Sequence, residues 1–173
     1  MKEISLIDNE YPFTYIDHTR VVVRALLEVN EKIFLFHHLL ADDIFGHRDY
    51  YESVGGGVKI KESLETALKR ECLEETGYEI EIVQKIGEVI DYYNLIHQKN
   101  INHYFYVKGL KKVQESHICS KGDKLIASTE SFSLKEAKSL YLAKANEPLA
   151  RLVANREVPM IEELERLLKS GSF

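Results

Sequence analysis

Two periods divide the chain. Residues 20–27, RVVVRALL, and 32–38, KIFLFHH, are apolar and rich in β-formers, and EVNE between them carries turn residues, so the pair predicts a hairpin. HLLADDIFGHRDYY reads as a polar-interrupted loop into a short strand at about Tyr50–Val54, which Gly55, Gly56 and Gly57 end. Helical spacing then runs over Ser63–Thr76, closed by Gly77 at the position after the helix end. YEIEIVQKIGEVIDYY alternates as one long strand from Tyr78 to Tyr93, bent at Gly87, and NLIHQKN links it to INHYFYVKGL as a second hairpin. KKVQESHICSKGDK reads as a polar loop and LIASTESFSL as a return to the sheet. SLKEAKSLYLAK is a helix with a serine cap, and VPMIEELERLLKS is an amphipathic terminal helix, so the C-terminal helices fall within about 133–169.

Strands interleaved with helices predict an α/β layered fold, and the hairpins make its sheet mixed. At 173 residues, with 45% hydrophobic and 29% charged residues, the chain is expected to be a single domain over 1–173 with a sizeable core. No internal repeat or linker interrupts it.

The helix over 63–76 breaks its own pattern. Leu64, Leu68, Glu71 and Glu75 fall on one stripe of the helical wheel, with Ala67 and Glu74 beside it, so two apolar turns are followed by two of carboxylate. Three clustered glutamates on a helix are often just a solvated acidic face. If they face the core, however, they repel one another and require a cation. Arg70 can neutralise one of them. A hard divalent ion, Mg²⁺ or Mn²⁺, can serve all three and substrate phosphate as well. The adjacent glycines strengthen that reading, because they let backbone approach a ligand closely.

Charge and cysteine content narrow the class. The formal charge of −5, with 28 acidic against 23 basic residues, argues against binding a nucleic-acid polymer through its phosphates. Cys72 and Cys119 are too few for a disulfide framework and lack zinc spacing, which points to a reduced, cytoplasmic setting. No apolar run is long enough for a membrane span, and the N-terminus does not resemble an export signal.

From Gly56 the chain reads G, five residues, Glu62, seven residues, then RECLEETGY, Arg70 to Tyr78. This resembles the Nudix box, G-x5-E-x7-R-E-U-x-E-E-x-G-U, where U is bulky and aliphatic. All seven fixed positions match, which by chance happens roughly once in a hundred million windows at average residue frequencies. Cys72 and Tyr78 replace aliphatic residues, Val54 stands where many members carry proline, and Lys59 and Lys61 are unusual in the glycine loop. SFSLKEA is similar to the family's WxSLxEA turn, and KANEPLARL to the ANEP segment of MutT-type oxidised-nucleotide pyrophosphatases, which would bring Asn146 to the base-binding side. As a structural feature, an Asn before Glu-Pro is equally an ordinary helix start.

The resemblance implies a Nudix-type α/β/α sandwich around a mixed sheet. It also implies a metal-dependent hydrolase that cleaves the pyrophosphate of a nucleoside diphosphate linked to another moiety, of the ADP-ribose, nucleotide-sugar or (d)NTP type. In that reading Glu71, Glu74, Glu75 and the Gly55 carbonyl bind Mg²⁺ or Mn²⁺, and Glu62 with Arg70 aims the helix. Glu71 is the first candidate for the general base, with Glu115, Asp123 and Glu130 as later-loop alternatives. Arg20, Arg24, Arg48 and Tyr51 are candidates for holding the substrate, and surface solvation is the plain alternative for the two strand arginines. His37 and His38 are expected as core or rim residues. Many family members form homodimers, so a homodimer is an expectation of the same origin. The alternative function is a non-catalytic nucleotide or ADP-ribose sensor; such modules often lose box glutamates, and this chain keeps them all. A Nudix-fold isopentenyl isomerase would place its chemistry on a cysteine, and Cys72 faces the wrong part of the helix.

Overall fold

The computed structural model describes residues 1–116 and 126–173. Among these described residues seven strands, β1 (Lys2–Ser5), β2 (His18–Val29), β3 (Lys32–Asp43), β4 (Gly46–Gly57), β5 (Tyr78–Tyr93), β6 (Gln98–Lys112) and β7 (Ile126–Phe132), form one sheet. Three helices, α1 (Leu64–Thr76), α2 (Leu134–Lys144) and α3 (Pro148–Ser170), flank it. The strand order is β1-β5-β6-β2-β4-β3-β7, with β1/β5 and β2/β6 parallel and the remaining pairs antiparallel, so the sheet is mixed as expected.

The first hairpin turns at Asn30 and Glu31, which have φ of 53° and 63°, so both central residues of the two-residue turn are left-handed. β2 and β3 pair only at Glu28↔Ile33 and Val29↔Lys32, because β4 enters between them and takes the rest of both edges. The segment expected as a loop after His38 is instead a continuation of β3 and the start of β4. Its polar residues satisfy one another: Asp43 accepts the Phe45 N–H at 2.8 Å and Arg48 Nε at 2.7 Å across the turn. Paired side chains therefore carry a strand that an apolar-periodicity scan misses.

β5 and β6 pair along their lengths, with register shifts that include one at Lys85/Gly87. A Cβ at Gly87 would sit 2.6 Å from Met160 Sδ, so the bend lets α3 lie close to the sheet. α1 is capped by Ser63, whose hydroxyl accepts the Thr66 N–H, and ends at left-handed Gly77. α2 starts with a reciprocal box between Ser133 and Glu136. The terminal helix starts ten residues earlier than its period suggested, at Pro148, and runs through Pro159. The apolar stripe from Leu149 to Leu167 is buried along its length, and that burial outweighs the cost of about 3 kcal/mol for an internal proline.

Two apolar clusters sandwich the sheet. Val23, Ala25, Leu27, Phe105 and Val107 meet Leu68 and Cys72 of α1 on one side. Leu26, Tyr104 and Tyr106 meet Val153, Met160, Ile161 and Leu164 of α3 on the other. Among the described residues, no helix is long and apolar enough to cross a membrane.

Candidate active site

Glycines at the end of β4 allow α1 to bring its carboxylates against the sheet. Gly55 has φ of +148° and packs on β2 so closely that a Cβ would lie 2.0 Å from the Val23 carbonyl oxygen. A Cβ on Gly56 would fall 2.6 Å from the Glu71 carboxylate, and one on Gly57 would fall 3.3 Å from the Arg20 guanidinium. Missing side chains thus make the space that Glu71 and Arg20 fill.

Arg70 organises the glutamates. Its Nε and Nη2 grip Glu62 at 2.8 and 2.9 Å, Nη2 donates to the Gly57 carbonyl at 3.0 Å, and Nη1 donates to Glu71 at 2.5 Å and Glu74 at 3.2 Å. Glu62 also accepts the Lys59 N–H, and the bonds from Arg70 and Lys59 hold its carboxyl down to about 2. Arg70 therefore reaches more of the acidic stripe than the single glutamate expected of it. Glu75 is buried and accepts the Gly55 N–H at 2.9 Å, so the Gly55 amide holds this carboxylate. Among the described residues, no three His, Cys, Asp or Glu side chains are gathered into a ready metal cage. The donors nonetheless suit a hard cation, being carboxylate oxygens at one mouth of a cavity, with a glycine clearing space beside Glu71.

That cavity, about 620 Å³, runs from the α1 glutamates over β2 to α3. Among the described residues six cationic side chains, Arg20, Arg24, Arg48, Lys59, Arg70 and Arg156, line it with four carboxylates, Glu52, Glu71, Glu74 and Glu75. At its inner end Glu52 is held by Arg24 at 2.7 Å and by Arg156 at 2.5 Å. Burial acts to raise the Glu52 pKa, but the two guanidiniums prevail and keep it well below the usual carboxylate range. Arg156, 1% exposed, also bonds Asp91, Glu157 and the Tyr93 hydroxyl.

The candidates from sequence separate by this geometry. Glu71, Glu74, Glu75, Arg70, Gly55, Arg20, Arg24 and Arg48 all line the cavity, and Glu62 stands behind Arg70. Arg20 makes no hydrogen bond or ion pair among the described residues, whereas Arg24 is tied to Glu52 and Arg48 to Asp43. Tyr51 does not line the cavity: strand alternation puts Tyr50 and Glu52 inside, while Tyr51 stacks on His37 and donates to Glu130 at 3.2 Å. Glu130 is thereby engaged away from the cavity, and Glu115 pairs with Lys112 at the surface. Asn146 is exposed between α2 and α3 and does not line the cavity, although Leu149 one turn on does. Asp123 and Cys119 lie outside the described residues. His38 is a buried rim residue stacked on Tyr50, and it lines the cavity.

The NUDIX domain family profile matches residues 18–154, a stretch that contains the glycine end of β4, all of α1 and the cavity's β6 wall. The chain belongs to the NUDIX domain family. This membership, with every glutamate of the box kept, supports a pyrophosphohydrolase. Among curated proteins no relative matches. Solved structures of similar fold include a NUDIX hydrolase from Nitrosomonas europaea, with TM-score 0.64 and 20% identity over 86% of this chain and 90% of that one. The MutT protein from Methanosarcina mazei Go1 is similar at TM-score 0.60 and 20% identity, over 87% of this chain and 96% of the other. An ADP-ribose pyrophosphatase from Streptococcus suis 89-1591 is similar at TM-score 0.51 and 16% identity, over 85% and 92% respectively.

Sequence reasoning missed Glu52, Arg156, Gln98 and Asn100 in this NUDIX cavity. A usable signal existed for Arg156, which shares the helical stripe of Leu149, Val153, Met160 and Leu164.

Proposed function

We propose that this NUDIX protein cleaves the pyrophosphate of a nucleoside diphosphate linked to another moiety, using Mg²⁺ or Mn²⁺ held by Glu71, Glu74 and Glu75. One observation carries the reading: the box carboxylates, gathered by Arg70 and the glycines, open onto a cavity lined by further cations, among them Arg20, which makes no hydrogen bond or ion pair among the described residues. Such a divalent ion, when bound, neutralises phosphate charge and lowers the pKa of water. The similar ADP-ribose pyrophosphatase from Streptococcus suis agrees with a diphosphate bearing two organic groups.

In this mechanism Arg20 holds a non-bridging phosphate oxygen, and the clamp of Glu62 on Arg70 keeps the α1 carboxylates aimed. Glu71 takes the proton of an attacking water. The water oxygen bonds to phosphorus as the bond from phosphorus to the bridging oxygen breaks, and the leaving phosphate departs with that electron pair. Glu52 is unsuited as the base, because Arg24 and Arg156 suppress its affinity for a proton.

A panel of nucleotide diphosphate derivatives with Mg²⁺ and with Mn²⁺, products separated by chromatography, tests the reading. Wild type should release two phosphate-bearing or phosphate-and-nucleotide products from at least one of them, and chelation should stop it. Glu75→Gln keeps an amide oxygen for the Gly55 N–H and should fold normally without turnover. Near-wild-type turnover of Glu75→Gln would overturn the metal assignment.

A further inference from the structure

The inner wall of the cavity carries an amide pair that the hydrolytic chemistry does not use. Gln98 and Asn100 stand two residues apart on β6 and both line the cavity. Gln98 Oε1 lies 2.9 Å from His18 Nε2 at the start of β2, and Gln98 Nε2 donates to Asn100 Oδ1 at 2.5 Å. The other ring nitrogen of His18, Nδ1, is bonded to the Asp17 carboxylate. Four side chains thus make one line from the surface, where His18 and Asp17 are half exposed, to Asn100, which is 3% exposed.

The donors and acceptors along this line are interdependent. A carboxylate only accepts, so Nδ1 of His18 carries a proton. In the imidazolium, Nε2–H donates to Gln98 Oε1, the Gln98 amide nitrogen donates to Asn100 Oδ1, and the Asn100 NH₂ is left for the cavity. When Nε2 loses its proton it becomes an acceptor and the line inverts. Gln98 then donates to His18 and accepts from Asn100 Nδ2, which leaves Asn100 Oδ1 facing the cavity.

We propose that this relay sets which end of the Asn100 amide meets the bound nucleoside, making Asn100 a specificity-determining residue that donates to a keto base while His18 is charged. Once His18 is neutral, Asn100 accepts from an amino base instead. The proposal rests on the reading that the cavity takes a nucleotide. His18 and Gln98 act through Asn100 and are positioning residues.

Charged and titratable groups face the relay from β2 and β5. Arg20, the β2 partner of Asn100, makes no hydrogen bond to it among the described residues, and Asp91 is its β5 partner. Asp91 is already engaged by Asn102 Nδ2 at 3.0 Å and Arg156 Nη1 at 3.3 Å. Tyr93, the β5 partner of Gln98, has its hydroxyl held by Arg156 at 3.0 Å. Asp17 is the charge that acts on His18, and the bonds to Asp17 and Gln98 raise its pKa above the ordinary value, against a weaker opposing effect of desolvation. The switch therefore falls on the neutral side of the usual imidazole range.

Nucleoside monophosphates, which contain no pyrophosphate to cut, test this by calorimetry in matched pairs: UMP against CMP and IMP against AMP, at pH 5.5 and pH 8.0. Wild type should favour the keto member by on the order of tenfold at pH 5.5, the weight of about one net hydrogen bond, and lose or reverse that preference at pH 8.0. His18→Ala, at a half-exposed position, should fold normally and show one ratio at both pH values. Asn100→Asp, an acceptor only, should favour the amino member at both. A wild-type ratio independent of pH, or a pH dependence that survives His18→Ala, overturns the relay. Absence of binding by all four nucleotides also overturns it, even if hydrolysis of a nucleotide diphosphate derivative is seen; loss of hydrolysis with the binding pattern intact overturns only the proposed reaction.

Discussion

Gly56→Ala separates what the glycines at the end of β4 do for folding from what they do for chemistry. Gly56 carries no positive φ, so alanine fits its backbone conformation. The new Cβ would lie 2.6 Å from the Glu71 carboxylate, and ordinary contact begins near 3.4 Å, so the carboxylate must retreat by about 0.8 Å. The displaced group is the end of a flexible side chain, and removing a glycine makes the unfolded chain less disordered, by about 0.4–1 kcal/mol. Stability should accordingly stay within about 1 kcal/mol of wild type, a Tm change of no more than about 4 °C for a chain this size. A misplacement near 1 Å at a reacting centre costs on the order of 100-fold in rate. The expected result is a normal melting curve with kcat/KM lowered about 100-fold on the best substrate of the panel. Gly55→Ala is the control: its Cβ would meet the Val23 carbonyl oxygen at 2.0 Å in a left-handed backbone, so it should unfold at far lower temperature. If Gly56→Ala melts normally and retains activity within threefold of wild type, Glu71 does not belong to the reacting centre.

Two further perturbations address the ion pairs. For Glu62→Gln the sign follows from a carboxyl held down to about 2 by Arg70 and the Lys59 amide: its contribution is complete above about pH 4.5 and is lost as pH falls through about 2. Calorimetric Tm of the variant should thus lie below wild type by a constant margin from pH 5 to 8 and converge with it near pH 2; a margin that persists at pH 2 would refute the clamp. Arg156→Leu leaves Glu52, Asp91 and Glu157 buried without their common partner, which should cost about 3–5 kcal/mol. At about 2–4 °C per kcal/mol that is a Tm drop of roughly 6–20 °C, and a drop under 3 °C would show that the cluster is not held by Arg156.

How much of this was legible in the sequence depends on whether the decisive neighbours are local. The Gly77 end of α1, the serine cap of α2, a turn within EVNE and the acidic stripe of α1 are set within a few residues, and the sequence shows them directly. β1 was invisible because four residues carry too little period, and β4 was cut short because Asp43 and Arg48 cancel each other only once the strands are side by side. The inner wall failed for a related reason. Gln98 and Asn100 belong to the stretch expected as the NLIHQKN link, but β6 takes it up from Gln98, and β2, parallel and distant in sequence, brings His18 beside them.

The two charged stripes show what the wheel argument omits. Glu71 and Glu75 interrupt an apolar stripe on α1, and Arg156 interrupts one on α3, so periodicity alone ranks them equally as sites. Their outcomes differ because of what lies opposite. Arg156 meets Glu52, Asp91, Glu157 and Tyr93, which fill its surroundings and satisfy it, and it becomes a buried support for the cavity floor. The α1 carboxylates meet Gly55 and Gly56, where the Gly55 amide holds Glu75 and the missing Cβ of Gly56 admits Glu71, so both carboxylates reach the cavity wall. A charge on a core-facing stripe thus identifies a site when its opposite strand is glycine, and a structural ion pair when that strand carries a matching charge.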